Sequence, residues 1–161
     1  MNTNRQYLEN RVNTASQPQL HLMLIEGGIR FAREAAIKFE ANDVDGASHP
    51  LRRAMDIASE LLASVKHSQD EINVKLASIY EFVFTRFTMA YVNSDAAKLA
   101  EGIKILEVQQ ETWRMACEKA AGAVIEDTAA KESSPPIKGP HKPLSLPAAD
   151  VLTSGGLSLE A

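Results

Sequence analysis

Cys117 and the four histidines, His21, His49, His67 and His141, are the side chains here whose chemistry is hardest to replace. A thiol acts as a nucleophile when a histidine stands close enough to take its proton. Histidines hold zinc when they recur at ligand spacing with cysteines or carboxylates. Neither pattern is present: the histidines are scattered, and Cys117 has no histidine near it in sequence and sits on an apolar stripe. The Glu-x-x-His pairs of a di-iron helical bundle are missing. Met23-Leu24-Ile25-Glu26-Gly27-Gly28 has paired glycines but neither the lysine nor the spacing of a phosphate loop. Glu26 and Asp56 flank apolar positions, as solvated helix carboxylates commonly do. The sequence predicts no catalytic centre, no metal and no cofactor, hence a protein that is not an enzyme.

Composition points the same way. The chain has 161 residues and a net charge of −4, with charges of both signs dispersed, so no basic field invites nucleic acid or an anionic membrane. A single cysteine rules out an internal disulfide and fits a reducing cytosol. The opening MNTNRQYLEN is polar and lacks the apolar core of a signal peptide. Apolar runs fall far short of the roughly 20 residues that a membrane span needs. The expectation is a cytoplasmic protein without membrane insertion.

The elements that would position a binding surface are helical throughout. Ser16-Gln17-Pro18-Gln19 reads as a capping box with proline in the first turn, and Ser68-Gln69-Asp70-Glu71 as a second start. Ser48-His49-Pro50 is expected to open a helix after a loop, and Asn93-Ser94-Asp95 supplies cap residues for the next. These signals predict helices over 17–41, 48–66, 69–92 and 95–125, and a weaker turn of helix over 4–12. Each carries an inward stripe at helical spacing. The first is Leu20, Met23, Leu24, Gly27, Phe31 and Ala35; the second Leu51, Ala54, Met55, Ala58, Leu61, Leu62 and Val65. The third is Ile72, Leu76, Ile79, Tyr80, Val83, Phe84 and Phe87; the fourth Leu99, Ile103, Leu106, Trp113, Cys117 and Val124. Short loops between long helices make antiparallel neighbours. The predicted fold is therefore all-α: an antiparallel up-down four-helix bundle with a short N-terminal helical segment and a disordered C-terminal tail.

Three regions follow: an N-terminal segment over 1–16, the bundle over 17–125 and a tail over 126–161. Five prolines (Pro135, Pro136, Pro140, Pro143, Pro147) lie in the tail, and no aromatic residue follows Trp113. Such a segment cannot bury enough apolar surface to offset its chain entropy. Its leucines (Leu144, Leu146, Leu152, Leu157, Leu159) are expected to be solvated, although they could dock elsewhere.

Apolar residues exceed what one core needs. Ile105, Val108, Thr112 and Met115 lie off the stripe of the fourth helix, and Phe82 and Met89 lie on a separate face of the third. A second stripe is a wide core face, a surface covered by the N-terminal segment, or a groove that receives a partner.

The ordered set of motifs resembles the FliS-type flagellar export chaperones. Tyr7, Val12, Thr14-Ala15-Ser16, Leu20 and Met23 to Ile29 are similar to that family's opening. Ala54-Met55-Asp56-Ile57 with Glu60-Leu61, and Glu71-Ile72, Leu76, Ile79-Tyr80-Glu81-Phe82 and Arg86-Phe87, resemble two later stretches, with Ala90, Asp95 and Trp113 following in register. Gln17 replaces the family's proline, Ile25 a tyrosine, Gln69-Asp70 a glycine pair and Tyr91 an asparagine. The proline-rich tail falls outside the family pattern.

The resemblance implies a chaperone that binds the disordered C-terminal segment of flagellin in the cytosol. It prevents premature polymerisation and assists export, with an export-gate component as a further partner. Ile79, Phe82, Val83, Ile105, Val108 and Met115 are the candidate partner-binding residues. Tyr7 and Val12 would form a removable lid. Gly27, where the family motif keeps its glycine, would allow close helix packing. An exposed groove would also favour a weak homodimer. The alternative is a helical adaptor for a different flagellar regulator or small disordered protein.

Overall fold

The computed structural model describes residues 3–132, with side chains through 125. Five helices follow one another: α1 (Thr3–Thr14), α2 (Gln17–Glu40), α3 (Val44–Val65), α4 (Glu71–Asn93) and α5 (Ala96–Glu132). No strand occurs among the described residues. α2 packs against α3 and α5, and α4 against α3 and α5, which closes a ring of four antiparallel neighbours. The predicted bundle is the observed one. The tail expected from residue 126 lies mostly outside the described residues, and α5 carries the helix seven residues past 125.

Local chemistry sets the helix ends. Ser16 caps α2 as expected: Gln19 N donates to Ser16 Oγ at 3.4 Å, and Ser16 N donates to Gln19 Oε1 at 2.9 Å. α3 starts four residues before the predicted Ser48, because Asp43 is the cap and accepts from Gly46 N at 2.8 Å. Pro50, read as a first-turn proline, therefore stands inside the helix and is buried. Asp70 caps α4 by accepting from Asn73 N at 2.9 Å. Ser94 ends α4 in the left-handed conformation at φ 53°, and Asp95 then accepts from Ala97 N at 2.9 Å to start α5.

The core stripe on α2 differs from the predicted one. His21, Ile25, Gly28, Ile29, Ala32 and Ala35 are buried, while Leu20, Met23, Leu24, Gly27 and Phe31 are only half-buried. α2 is apolar around most of its circumference, so periodicity alone left its rotation open by about one residue, or 100°. The close-packing glycine is accordingly Gly28, not Gly27. A Cβ on Gly28 would lie 3.2 Å from Ile57 Cγ2 and 3.3 Å from Leu106 Cδ1. A Cβ on Gly27 would meet only Ile57 Cδ1, at an ordinary 3.4 Å. The tightest contact is at Gly102 on α5, where a Cβ would stand 2.5 Å from Phe87 Cε1.

Two expected core residues fall outside the core. Ile72 is 71% exposed and Val124 is 64% exposed. α5, with 37 residues, spans about 55 Å against about 36 Å for the 24 residues of α2. Its last turns therefore extend past the partner helix. Tyr80, Val83, Phe87, Leu99 and Leu106 fill the centre from α4 and α5, opposite the small Ala32, Ala35, Ala54 and Ala58.

Candidate functional site

Among the described residues one buried polar cluster joins three helices. His21 of α2, Tyr80 of α4 and Trp113 of α5 meet in the interior, with Tyr80 fully buried and His21 9% exposed. Trp113 Nε1–H donates to Tyr80 Oη at 3.1 Å. His21 Nε2 lies 2.6 Å from the same oxygen. Tryptophan nitrogen can only donate, so the tyrosine hydroxyl accepts that bond, and the direction of its bond with His21 Nε2 follows the imidazole tautomer. The His21 and Trp113 rings stack with centroids 4.0 Å apart. Burial holds the His21 pKa down at about 4 and pushes the Tyr80 hydroxyl up to about 12.

The hydrogen bonds that this cluster makes among the described residues involve neither a carboxylate nor a thiol. Among the described residues no group of three His, Cys, Asp or Glu side chains could hold a metal ion. The strongly shifted groups belong to a satisfied core network rather than to an open cleft. Sequence reading scattered His21 among unconnected histidines; only the rotation of α2 shows that it faces Tyr80 and Trp113. The lowered carboxyls are caps: Asp43 is held down first by the Gly46 N–H and then by Lys38, and Asp70 first by the Ser68 hydroxyl.

Of the residues predicted to receive a partner, Ile79, Phe82 and Val83 stand on α4 and Ile105, Val108 and Met115 on α5, two helices that pack against each other. Ile79 on α4 and Ile105 on α5 are half-buried against the core. Phe82, Val108 and Met115 are 39%, 56% and 48% exposed. Arg86 ties the seam together: its guanidinium lies 4.5 Å over the Phe82 ring, and its Nε is 2.9 Å from Glu101 Oε2 on α5. Glu101, Val108 and Met115 follow at intervals of seven residues, two helical turns each, and so run down one face. Val83 does not belong with them. It is fully buried, because it shares the inward face of α4 with Tyr80 and Phe87. Met89, one turn beyond Arg86, is a further exposed apolar residue of α4. Gln109 is buried one turn after Ile105, and its Oε1 has no hydrogen-bond partner among the described residues.

α1 does not close over this seam. None of its residues is buried, and Tyr7 and Leu8 are 64% and 52% exposed. Val12 turns toward α2, where it lines a hollow of about 480 Å³ with Gln17, Leu20, Met23 and Leu24. A second hollow of about 460 Å³ lies where Arg11 and Thr14 approach Met23, Glu26 and Cys117. With few apolar side chains, α1 gains little by packing. The far side of the bundle carries cations: Arg30 and Arg53 lie 4.9 Å and 5.7 Å from the Phe31 ring centre. Among the described residues no helix is long and apolar enough to cross a membrane.

A protein-family model described as "Flagellar protein FliS" matches residues 1–120. The flagellar secretion chaperone FliS of Bacillus subtilis (strain 168) is 29% identical over 110 residues, which cover 68% of this chain and 82% of that protein. The flagellar secretion chaperone FliS of Escherichia coli (strain K12) is 26% identical over 109 residues, 66% of this chain and 80% of that protein.

Proposed function

The chain belongs to the FliS family, a family of flagellar secretion chaperones rather than enzymes, and from that premise we propose that its client is the disordered C-terminal segment of flagellin. The observation that carries this reading is the exposed apolar strip of Phe82, Val108 and Met115 along the α4/α5 seam, flanked by half-buried Ile79 and Ile105. Helical chaperone surfaces of this kind receive amphipathic segments that order as they bind. Covering the exposed part of each of the three side chains contributes on the order of 1 kcal/mol. The ordering of the client takes back several kcal/mol of that gross gain, so affinity stays moderate and the client can be released.

In this account the bundle over 17–125 holds the client in the cytoplasm, keeps it from polymerising prematurely and passes it to an export-gate component. Val83 supports the seam from beneath and touches no partner. Calorimetric titration of the full chain with the flagellin C-terminal segment, at several temperatures, tests the reading. Saturable one-to-one binding with a large negative heat-capacity change is the expected result. No complex at high micromolar concentration would overturn it.

A further inference from the structure

We propose that residues 144–159 of this chain's own tail dock on the α4/α5 seam and compete with the client there. The proposal rests on the client-binding reading of that seam and adds a regulator to it. α5 ends at Glu132, so 161 − 132 = 29 residues follow it, and the family model already stops at residue 120. The bundle is closed without this segment: Ile25, Leu61, Tyr80, Phe87, Leu99 and Leu106 are completely buried among themselves. Leu144, Leu146, Val151, Leu152, Leu157 and Leu159 therefore have no core to enter. The exposed apolar seam is the surface that matches them.

Length and charge fit. Met115 and Val108 lie 17 and 24 residues before Glu132, or about 26 and about 36 Å back along the helix. Eleven residues, among them Pro135, Pro136, Pro140 and Pro143, lie between Glu132 and Leu144, and twelve steps of about 3.1 Å can reach about 37 Å. A chain reversing after α5 thus delivers Leu144 to the seam and lays the later leucines along it. The segment carries Asp150 and no lysine or arginine, and Glu160 follows it directly. Lys104, one turn before Val108, has no ion partner among the described residues and faces outward to meet such a charge.

Tethering makes weak contacts sufficient. A flexible link of this length gives an effective concentration on the order of 1 mM, so a segment with an intrinsic Kd near 0.1 mM occupies the seam about nine-tenths of the time. The client's apparent affinity then falls about tenfold. A client with tighter intrinsic affinity still displaces the tail, and the empty seam is kept from contacts with other chains.

The test uses the full chain and a full-length variant combining Leu152→Ser, Leu157→Ser and Leu159→Ser, which touches no residue of the bundle core. Amide NMR spectra of the two proteins should differ at Phe82, Val108 and Met115, and the difference should persist on tenfold dilution. Identical spectra would overturn the proposal, as would differences confined to the hollow of His49, Arg52 and Tyr91. Differences that vanish on dilution would overturn it in favour of a second copy. A parallel titration with a synthetic flagellin C-terminal segment should show about tenfold tighter binding to the variant, and equal affinities would refute competition. If the peptide binds neither protein, the client reading fails, while the spectra still decide the docking.

Discussion

Protonating His21 should cost the bundle about 2 kcal/mol between pH 7 and pH 5. The imidazole is neutral in the fold because burial strips water from its charged form. Its pKa is lowered from 6.5 to about 4. The unfolded chain therefore binds more protons than the native one between these values, and stability rises with pH across that window. The contribution is fully present above pH 6.5 and is lost as pH falls toward 4. With these two pKa values the linkage integral gives about 2 kcal/mol from pH 7 to pH 5 and about 3 kcal/mol by pH 4. Asp43 and Asp70, held below the ordinary carboxylate range, contribute stability above that range and lose it only under more acidic conditions. The assay is urea denaturation followed by circular dichroism, comparing wild type with His21→Gln. Glutamine can accept from Tyr80 but does not titrate. Wild type should lose about 2 kcal/mol more than the variant between pH 7 and pH 5. Parallel pH profiles, or a histidine NMR titration placing His21 near 6.5, would refute the reasoning.

Further predictions concern packing and a cap. Gly102→Ala should destabilise by about 1–3 kcal/mol despite alanine's better helix propensity, since its Cβ would stand 2.5 Å from Phe87 Cε1. Gly28→Ala, with longer contacts of 3.2 Å to Ile57 Cγ2 and 3.3 Å to Leu106 Cδ1, should stay within about 1 kcal/mol of wild type. Chemical denaturation of both variants checks the order; equal losses would dismiss the role given to the Phe87 ring. Ser94→Gly should raise stability by about 0.5–1 kcal/mol, because φ is 53° at this C-terminal cap and glycine takes that conformation without a Cβ clash. A lower melting temperature for this variant would show that the Ser94 side chain matters more than its backbone.

The bundle was legible in the sequence because its signals are local. The box Ser16–Gln19 and the caps Asp70 and Asp95 act within three residues, and the loops are too short to join anything but antiparallel neighbours. What was not legible depends on rotation and length across helices. α2 is apolar on several faces, so the sequence chose the stripe of Leu20 and Gly27 where the fold buries His21 and Gly28. Ile72 and Val124 have the right spacing for a core, yet they lie near helix ends and stay 71% and 64% exposed. Gly102 gave no signal, since its meaning lies in Phe87, fifteen residues away on another helix. The exposure of the surplus apolar residues was easier to read than the core. Phe82, Val108 and Met115 were surplus to one stripe, and surplus apolar residues stay outside. Val83 was misassigned to them, being a neighbour in sequence that points the other way.

The measurement that bears most directly on the central claim is the affinity of the flagellin C-terminal segment for Val108→Asp beside wild type. Val108 is 56% exposed, so the aspartate is tolerated by the free bundle, but it would be stripped of water under an apolar client. The account predicts at least tenfold weaker binding with unchanged helix content and melting temperature. Unaltered affinity in a folded variant would contradict it and remove the α4/α5 seam from the client's path.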